Sequence, residues 1–522
     1  VISAGAPVPA PTMKRWHDMM PEDGEILPPY GATESLPVAC ISSRDILSET
    51  WKKTEEGFGV STGWHHIAIR YRFGDPDSAQ GWIDGQPTSG LWDMGGATQA
   101  PPITDNDSIA IGAGATANGH NTVAIGLSAN AANLQAVAIG RSACALANGA
   151  TALGSSANAF DKWAVAIGEN ASASGYSSIA IGGLAETDGY EAIAIGYADA
   201  LSNSAIGIGN LAYANGNRAA ALGWTANATS DFATALGANT TAQGLSSVAL
   251  GFAANGLANQ STALGSYATA DGLAATAVGS CAQASGSFAT ASGYQANASN
   301  LQTTAVGTNA TANSCYATAL GAGAAANAYS ATATGYQATA SGQYGSAFGT
   351  SANAAAGNST AIGSYACSIS TNGTALGYFA AAEAANATAL GTGSTANGVN
   401  AIAIGIDSVA NSTGSIAIGT ANARAGSAIA MGAGANASET SAVAIGASSK
   451  AGGYGAIALG LAANADGGYS TAIGIETSAA GSSATALGSY AIGSGNYATA
   501  VGYAAKANSE GSIALGSNSN SS

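Results

Sequence analysis

The chain has 522 residues, 47% of them hydrophobic and only 8% charged, with a formal net charge of −16. The high apolar content and weak charge exclude an intrinsically disordered chain, and Gly does not recur at every third position as collagen requires. Residues 1–102 carry seven basic and thirteen acidic side chains, and the remainder six and sixteen; neither part has the basic excess that nucleic-acid binding needs.

The composition changes sharply near residue 103. All 11 Pro lie between Pro7 and Pro102, and five of the seven Trp lie in the same stretch. We therefore predict a small N-terminal attachment or connector domain at 1–102 and a repeat rod at 103–522. We expect the N-terminal domain to join the rod to a structural protein of a virion or of a cell surface.

A histidine pair in the N-terminal part is a candidate metal site. His65 and His66 are adjacent and lie near Asp75 and Asp77. Neighbouring residues of a strand point to opposite faces, so the two imidazoles cannot easily chelate one ion. We favour ordinary strand residues here and expect neither a metal nor another cofactor.

The repeat is the strongest signal in the chain. We call the Gly that closes each Ala-Ile-Gly or Ala-Leu-Gly the marker glycine. It recurs every 14 residues from Gly112 to Gly196, from Gly209 to Gly419 and from Gly432 to Gly516, with one 13-residue step at each junction. These 30 turns each contain two short alternating runs, one before and one after the marker, which predict two strands per turn.

Small side chains recur on one face of these runs. The residue two before the marker is Ala in 29 of 30 turns, and Ala also dominates three and five residues after it. We predict that these residues line a narrow lumen between two sheets; the lumen includes Ala110, Ala124, Ala138, Ala152 and Ala166. The fourth residue after the marker, often Asn or Thr, is predicted to face outward and to form hydrogen-bond ladders between turns.

The other face of the first run is apolar. Ile, Leu or Val stands one residue before the marker in almost every turn. Burying each side chain is worth roughly 1.5–3 kcal/mol, and soluble proteins do not leave such a stripe bare, so another chain should cover it. The predicted interface residues are Ile111, Ile125, Ile139, Ile167, Ile181, Ile195, Leu222, Leu236, Leu250, Leu264, Ile404, Ile418, Ile445 and Leu459.

The repeat resembles the head repeat of trimeric autotransporter adhesins. The resemblance rests on Ser178-Ile-Ala-Ile-Gly182 and on Asn121-Thr-Val-Ala-Ile-Gly126-Leu-Ser-Ala-Asn-Ala, and it extends over residues 108–517. It implies an all-β fold, a long left-handed parallel β-roll of about 30 turns in a homotrimeric rod. With 29 steps of about 4.8 Å, such a rod would be roughly 140 Å long.

Similar repeats also occur in bacteriophage fibres, so two settings are predicted. The chain shows no heptad run and ends directly after the last repeat, which favours a structural and adhesive virion fibre, such as a tail fibre or whisker, that contacts a host surface or matrix ligand. The alternative is the head of a bacterial surface adhesin or a secreted extracellular filament. The expected location is the virion surface or, alternatively, the outside of a bacterial cell.

Catalysis and membrane insertion are not expected. The repeat region has a single His, His120, and scattered carboxylates, so no acid–base pair stands out. No apolar run reaches about 18 residues. The five Cys are odd in number and lack paired spacing, so neither a zinc site nor a disulfide framework is predicted. Thr recurs from Thr262 to Thr388, as in an ice-binding face, but it lies on the face assigned to the trimer core.

Overall fold

The computed structural model describes residues 108–522 and, before them, five strands. Strands β1 (Pro29–Tyr30) and β2 (Ala39–Cys40) form an antiparallel pair. Strands β3 (Ile67–Arg70), β4 (Gln80–Ile83) and β5 (Gln86–Thr88) form an antiparallel sheet. His65, His66, Asp75 and Asp77 lie outside the described residues, and the division at 102 stays a prediction.

Each of the 30 turns of the rod contributes two strands. The first covers the three residues before the marker glycine, from β6 (Ile109–Ile111) to β64 (Ile513–Leu515) through the even numbers. The second covers the fourth and fifth residues after it, from β7 (Thr116–Ala117) to β65 (Asn520–Ser521) through the odd numbers. Three second strands depart from this rule: β19 (Ala198–Ala200), β21 (Ala212–Ala214) and β51 (Asn422–Ala423).

Every rod strand pairs in parallel with its equivalent one turn later. Ala138 pairs with Ala152 in the first sheet, and Asn130 pairs with Cys144 in the second. The result is two parallel sheets of 30 strands that run the length of the rod. The described residues contain no helix. The predicted all-β solenoid of about 30 turns with a 14-residue repeat is confirmed.

The core between the two sheets is built almost wholly from Ala. Ala124, Ala138, Ala152 and Ala166 are fully buried, whereas Ala110, in the first described turn, is only partly buried. Side chains no larger than a methyl group allow the two sheets to approach closely. Each turn buries its Ala against the Ala of the turns before and after it, so the core is a continuous column.

A fourth buried position, four residues before each marker, was missed in the sequence because Ser and Thr interrupt its Ala pattern. In some turns a turn carbonyl accepts from the hydroxyl: Thr122 donates to Gly119 O at 2.9 Å, Thr303 to Asn300 O at 2.7 Å and Ser359 to Ala356 O at 2.6 Å. In others, such as Ser247 and Ser261, the hydroxyl has no hydrogen-bond partner. A buried hydroxyl is tolerated when it is hydrogen-bonded. The lumen therefore accepts small hydroxyl side chains, with a corner carbonyl as partner in some turns and without one in others.

The marker glycines occupy a backbone conformation that other residues avoid. Their φ angles lie between +96° and +141°, a region that is essentially restricted to Gly. A Cβ on Gly154 would also lie 2.4 Å from the carbonyl oxygen of Gly168 in the next turn. Both the φ angle and the approach of the next turn require Gly at this position.

Two further corner positions are left-handed but are mostly not Gly. They are the second and ninth residues after the marker, for example Ser128 at φ 56° and Trp163 at φ 62°. Left-handed corners in this rod therefore do not require Gly at these two positions. Asn and Asp adopt this conformation more readily than other side chains, yet Trp, Tyr and Phe also occupy it here.

Both 13-residue turns lose their residue in the same corner. After Gly196 and after Gly419 the second strand begins early, and the left-handed residue two after the marker is missing. The first sheet stays in register across the deletions, because Ile193 pairs with Ile206 and Ile416 with Ile429. The rod therefore absorbs each deletion within one corner.

The hydrogen-bond ladder lies elsewhere than predicted. The fourth residue after the marker changes type from turn to turn, so amides there seldom meet; Asn255 instead donates to the nearby Ala253 O at 3.4 Å. A ladder does form at the left-handed ninth position, where four consecutive turns carry Asn. Its amide-to-amide distances are 3.1, 2.9 and 3.0 Å, and its members are Asn358, Asn372, Asn386 and Asn400.

Candidate functional site

The predicted interface residues form an apolar stripe on the outer face of the first sheet. Each flanks a lumen Ala, so the alternation of the strand turns it away from the lumen. Ile111 is 54% exposed and Leu250 is 37% exposed. Ile195, Leu236 and Leu459 are also exposed, and the rest are half-buried: Ile125, Ile139, Ile167, Ile181, Leu222, Leu264, Ile404, Ile418 and Ile445.

Parallel pairing makes this stripe continuous. Leu250 lies directly between Leu236 and Leu264 of the neighbouring turns. The Thr residues three before the marker share the same outer face, as Thr262 and Leu264 of one strand show. The rod of a single chain therefore presents a mixed Thr and Leu surface, and none of the residues that the structure describes covers it.

Aromatic rings project from the two corners of the rod, a feature that sequence reasoning missed. The first corner is defined by residues one and two after the marker, and the second corner by residues eight and nine. Tyr316, Tyr329 and Tyr344 form one edge-to-face column in the second corner, with centroid distances of 5.4 and 5.6 Å. The signal in the sequence was the recurrence of Tyr, Phe and Trp at these positions.

One stretch of the second corner contains a groove of about 500 Å³, which we call the corner groove. Four consecutive turns contribute one pair of adjacent residues each; Arg218 comes from the third of these turns and Phe232 from the fourth. The lining residues are Tyr190, Glu191, Asn203, Ser204, Asn217, Arg218, Asp231 and Phe232. The carboxylate of Glu191 raises the pKa of the Tyr190 phenol.

Three carboxylates, of Glu186, Asp188 and Asp199, cluster at the second sheet beside the first 13-residue turn. Burial raises the pKa of Glu186, and the charges of Asp188 and Asp199 raise it further. Burial, followed by the charge of Asp188, also raises the pKa of Asp199. Within residues 108–522, no three His, Cys, Asp or Glu side chains are arranged to hold a metal ion.

We expect the Asp199→Asn variant to be more stable than the wild type at pH 7. A raised carboxyl pKa means that the folded rod binds the proton more tightly than the unfolded chain, so stability is greatest in acid and falls as pH rises through the folded pKa. Thermal unfolding at pH 7 and near pH 3 should show the gain only at pH 7. A variant that is less stable than the wild type at pH 7 would contradict the view that burial and the Asp188 charge destabilise the ionised Asp199.

Asp466→Asn is the control of opposite sign. Partial burial alone would raise the pKa of Asp466, but hydrogen bonds from Lys450 and Asn464, together with the Lys450 charge, outweigh it and lower the pKa. The Lys450 Nζ to Asp466 Oδ1 distance is 2.7 Å. The ion pair is exposed, so Asp466→Asn should lower the free energy of unfolding at pH 7 only slightly, by at most about 1 kcal/mol.

The four rod cysteines are free and half-buried. Burial raises the pKa of Cys144 and of Cys367, although a hydrogen bond from an Asn one turn earlier opposes it in each case. The Asn130 Nδ2 to Cys144 Sγ distance is 3.9 Å. A raised pKa keeps these two thiols protonated and less reactive. No helix among the described residues is long and apolar enough to cross a membrane.

Short matches link the chain to two curated proteins. It is 44% identical over 63 residues to an olefin beta-lactone synthetase of Stenotrophomonas maltophilia (strain K279a), and 46% identical over 61 residues to one of Xanthomonas campestris pv. campestris. Each match covers 12% of this chain and 11% of the relative. The chain thus spans about a tenth of either synthetase.

The repeats match a protein family along most of the rod. The family is described as the YadA head domain repeat (2 copies), and the matched segments together cover more than half of the chain. They are residues 106–129, 117–143, 164–185, 173–198, 200–226, 228–254, 258–280, 284–313, 340–366, 369–394, 396–422, 423–449, 451–476, 465–491 and 494–519. A parallel two-sheet solenoid with this repeat, matched over this length, places the chain in the YadA head domain repeat family of adhesin-type fibres.

Proposed function

We propose that three copies of this chain assemble into an adhesive fibre whose core is the apolar stripe. The observation that carries the proposal is the exposure of that stripe, with Leu236 42% and Leu250 37% exposed in a single chain. Monomeric proteins seldom expose apolar patches beyond a few hundred Å². A stripe that runs through 30 stacked strands exceeds that size and needs a partner of equal length, which a second copy of the same rod supplies.

The magnitude of the burial supports an obligate assembly. Full burial of an exposed Ile or Leu is worth roughly 1.5–3 kcal/mol. Because most of the stripe residues are already more than half buried in a single chain, covering the rest over about 30 turns contributes on the order of 20–40 kcal/mol, gross, per chain. Even a small fraction of this exceeds the cost of association. A closed arrangement around a threefold axis presents the same stripe from each chain to the centre and leaves none of it exposed.

A more specific proposal concerns whether the fibre belongs to a bacterial cell surface or to a virion. Membership of the YadA head domain repeat family supports an adhesin on the outside of a bacterial cell. The virion fibre is the second candidate; the separate composition of residues 1–102, with all 11 Pro and five of seven Trp, supports an attachment unit that docks to another structural protein. In both settings the rod projects outward, and its corners and second sheet face a host surface or matrix.

The proposed role is structural and adhesive, without catalysis. The described part of the chain brings together no group of three His, Cys, Asp or Glu side chains for a metal. The short matches to the synthetases leave nearly nine-tenths of those enzymes without a counterpart.

Two measurements test the proposal. Light scattering of the purified full chain should give about three times 49.9 kDa, because the stripe of each chain is covered by the other two. An antibody raised against the rod should label either bacterial surfaces or virus particles from the source culture. A soluble, well-behaved monomer would contradict the trimer, and labelling of cell interiors alone would contradict both settings.

A further inference from the structure

We propose that the corner groove binds carbohydrate, as a short oligosaccharide lying along the rod axis. This site is separate from the apolar stripe, because it lies in the second corner and is built from one chain. The proposal therefore goes beyond the trimeric fibre and does not depend on it. It assigns a ligand class to a surface that the fold leaves exposed.

The shape of the groove suits an extended ligand. Tyr190 closes one end and Phe232 the other, and they stand three turns apart along the rod. With about 4.8 Å between turns, the two rings are roughly 14 Å apart along the axis. Between them the first 13-residue turn contributes the small side chain of Ser204, where neighbouring turns carry Glu191 and Arg218. Because Ser204 is short, it leaves open space between the side chains of the neighbouring turns.

Both aromatic rings are exposed and held in place. Tyr190 is 48% exposed and stacks on Tyr176, with ring centroids 5.0 Å apart and the planes 4° from parallel. Phe232 is 49% exposed and has the Arg218 guanidinium 5.6 Å from its centroid. A ring already fixed by a neighbour loses little entropy when a ligand packs on it. The apolar C–H face of a sugar ring packs on the free face of Tyr190, and at the other end of the groove the ligand meets the Arg218 guanidinium that lies over Phe232.

The polar groups between the rings suit hydroxyl groups. Asn203 Oδ1 accepts a hydrogen bond from the Tyr190 backbone N–H at 3.0 Å, and Asn217 Nδ2 donates to Asp231 Oδ1 at 3.0 Å. These contacts orient the amides and the carboxylate along the groove. Amides, carboxylates and a guanidinium together offer both donors and acceptors, and a sugar hydroxyl can serve as either.

The charges of the groove argue against an anionic ligand. Glu191 and Asp231 are acidic, and Arg218 is the single basic residue in the lining. An anion would meet net negative charge, whereas a neutral or amino-substituted sugar would not. The mixed charge also differs from the basic patch that a phosphate or nucleic acid would need. Neutral oligosaccharides and amino-sugar oligosaccharides are therefore the ligand class.

Binding of the full-length protein to maltotriose, cellotriose, a galactose trisaccharide and chitotriose tests the proposal by calorimetry and by ligand-observed NMR. We expect at least one of these probes to bind. Tyr190→Ala and Phe232→Ala should each lower the affinity by about tenfold or more, because the first removes a stacking platform and the second removes the ring that holds Arg218 in place. Tyr190→Phe should keep most of the affinity, since the ring remains.

Tyr454→Ala and Tyr469→Ala are the matched controls. Tyr454 and Tyr469 stand eight and nine residues after their markers, as Tyr190 and Phe232 do. Their ring centroids are 5.3 Å apart, and both residues lie outside the groove. These variants should bind as the wild type does. The proposal is overturned if none of the four probes binds, or if the control variants lose as much affinity. It is also overturned if Tyr190→Ala and Phe232→Ala lower the mass by light scattering, which would assign the groove to a contact between chains.

Discussion

Replacing Leu236, Leu250 and Leu264 together by Asp should dissociate the trimer or make it aggregate. The three positions are consecutive on the apolar stripe, so a trimer would enclose nine carboxylates around its axis. A charge buried without a partner costs about 3–5 kcal/mol, and the apolar contact of each Leu is lost as well. Light scattering should show either a mass of about 49.9 kDa or insoluble material.

The control places the same three charges on the opposite sheet of the same turns. Thr241, Asn255 and Thr269 stand four residues after the markers of those turns, on the outer face of the second sheet. Their replacement by Asp should leave the mass unchanged, because that sheet faces water in the proposed trimer. If the stripe variant stays a soluble trimer, or if both variants dissociate alike, the stripe is not the interface.

Gly349→Ala should destabilise the rod strongly for a substitution that adds one methyl group. Gly349 has φ +133°, and a Cβ there would lie 2.5 Å from the carbonyl oxygen of Gly363 in the next turn. The strained backbone costs about 1–3 kcal/mol, and relieving the overlap costs about 1–3 kcal/mol more. Thermal unfolding should report a loss of roughly 2–6 kcal/mol per chain.

The effect should also be local. In a solenoid each turn contacts only its neighbours, so a turn that cannot stack separates the rod into two parts. Limited proteolysis of Gly349→Ala should therefore cut near residues 349–363. Gly357→Ala is the control, because its Cβ would meet nothing closer than Gln343 O at 3.9 Å and its φ is not positive. Equal unfolding and equal cleavage of the two variants would refute the argument.

The sequence by itself determined the architecture of the rod. A marker glycine every 14 residues, with period-2 runs on either side, specifies two strands per turn and a parallel stack, because each run must pair with its own equivalent one turn later. The Ala at alternate positions specifies how closely the sheets approach. Even the two deletions were readable as shortened steps at Gly196 and Gly419. All of these features depend on spacing along the chain, which the sequence shows directly.

Only the tertiary structure decided what the corners do. It showed that left-handed corner residues need not be Gly, as Trp163 shows, and that the Asn ladder lies at the ninth position rather than the fourth. It also brought Tyr190 and Phe232, 42 residues apart in the chain, to the two ends of one groove. Side chains in a corner meet according to backbone angles and the 4.8 Å rise per turn, and repeat spacing alone carries neither the angles nor the direction of the side chains.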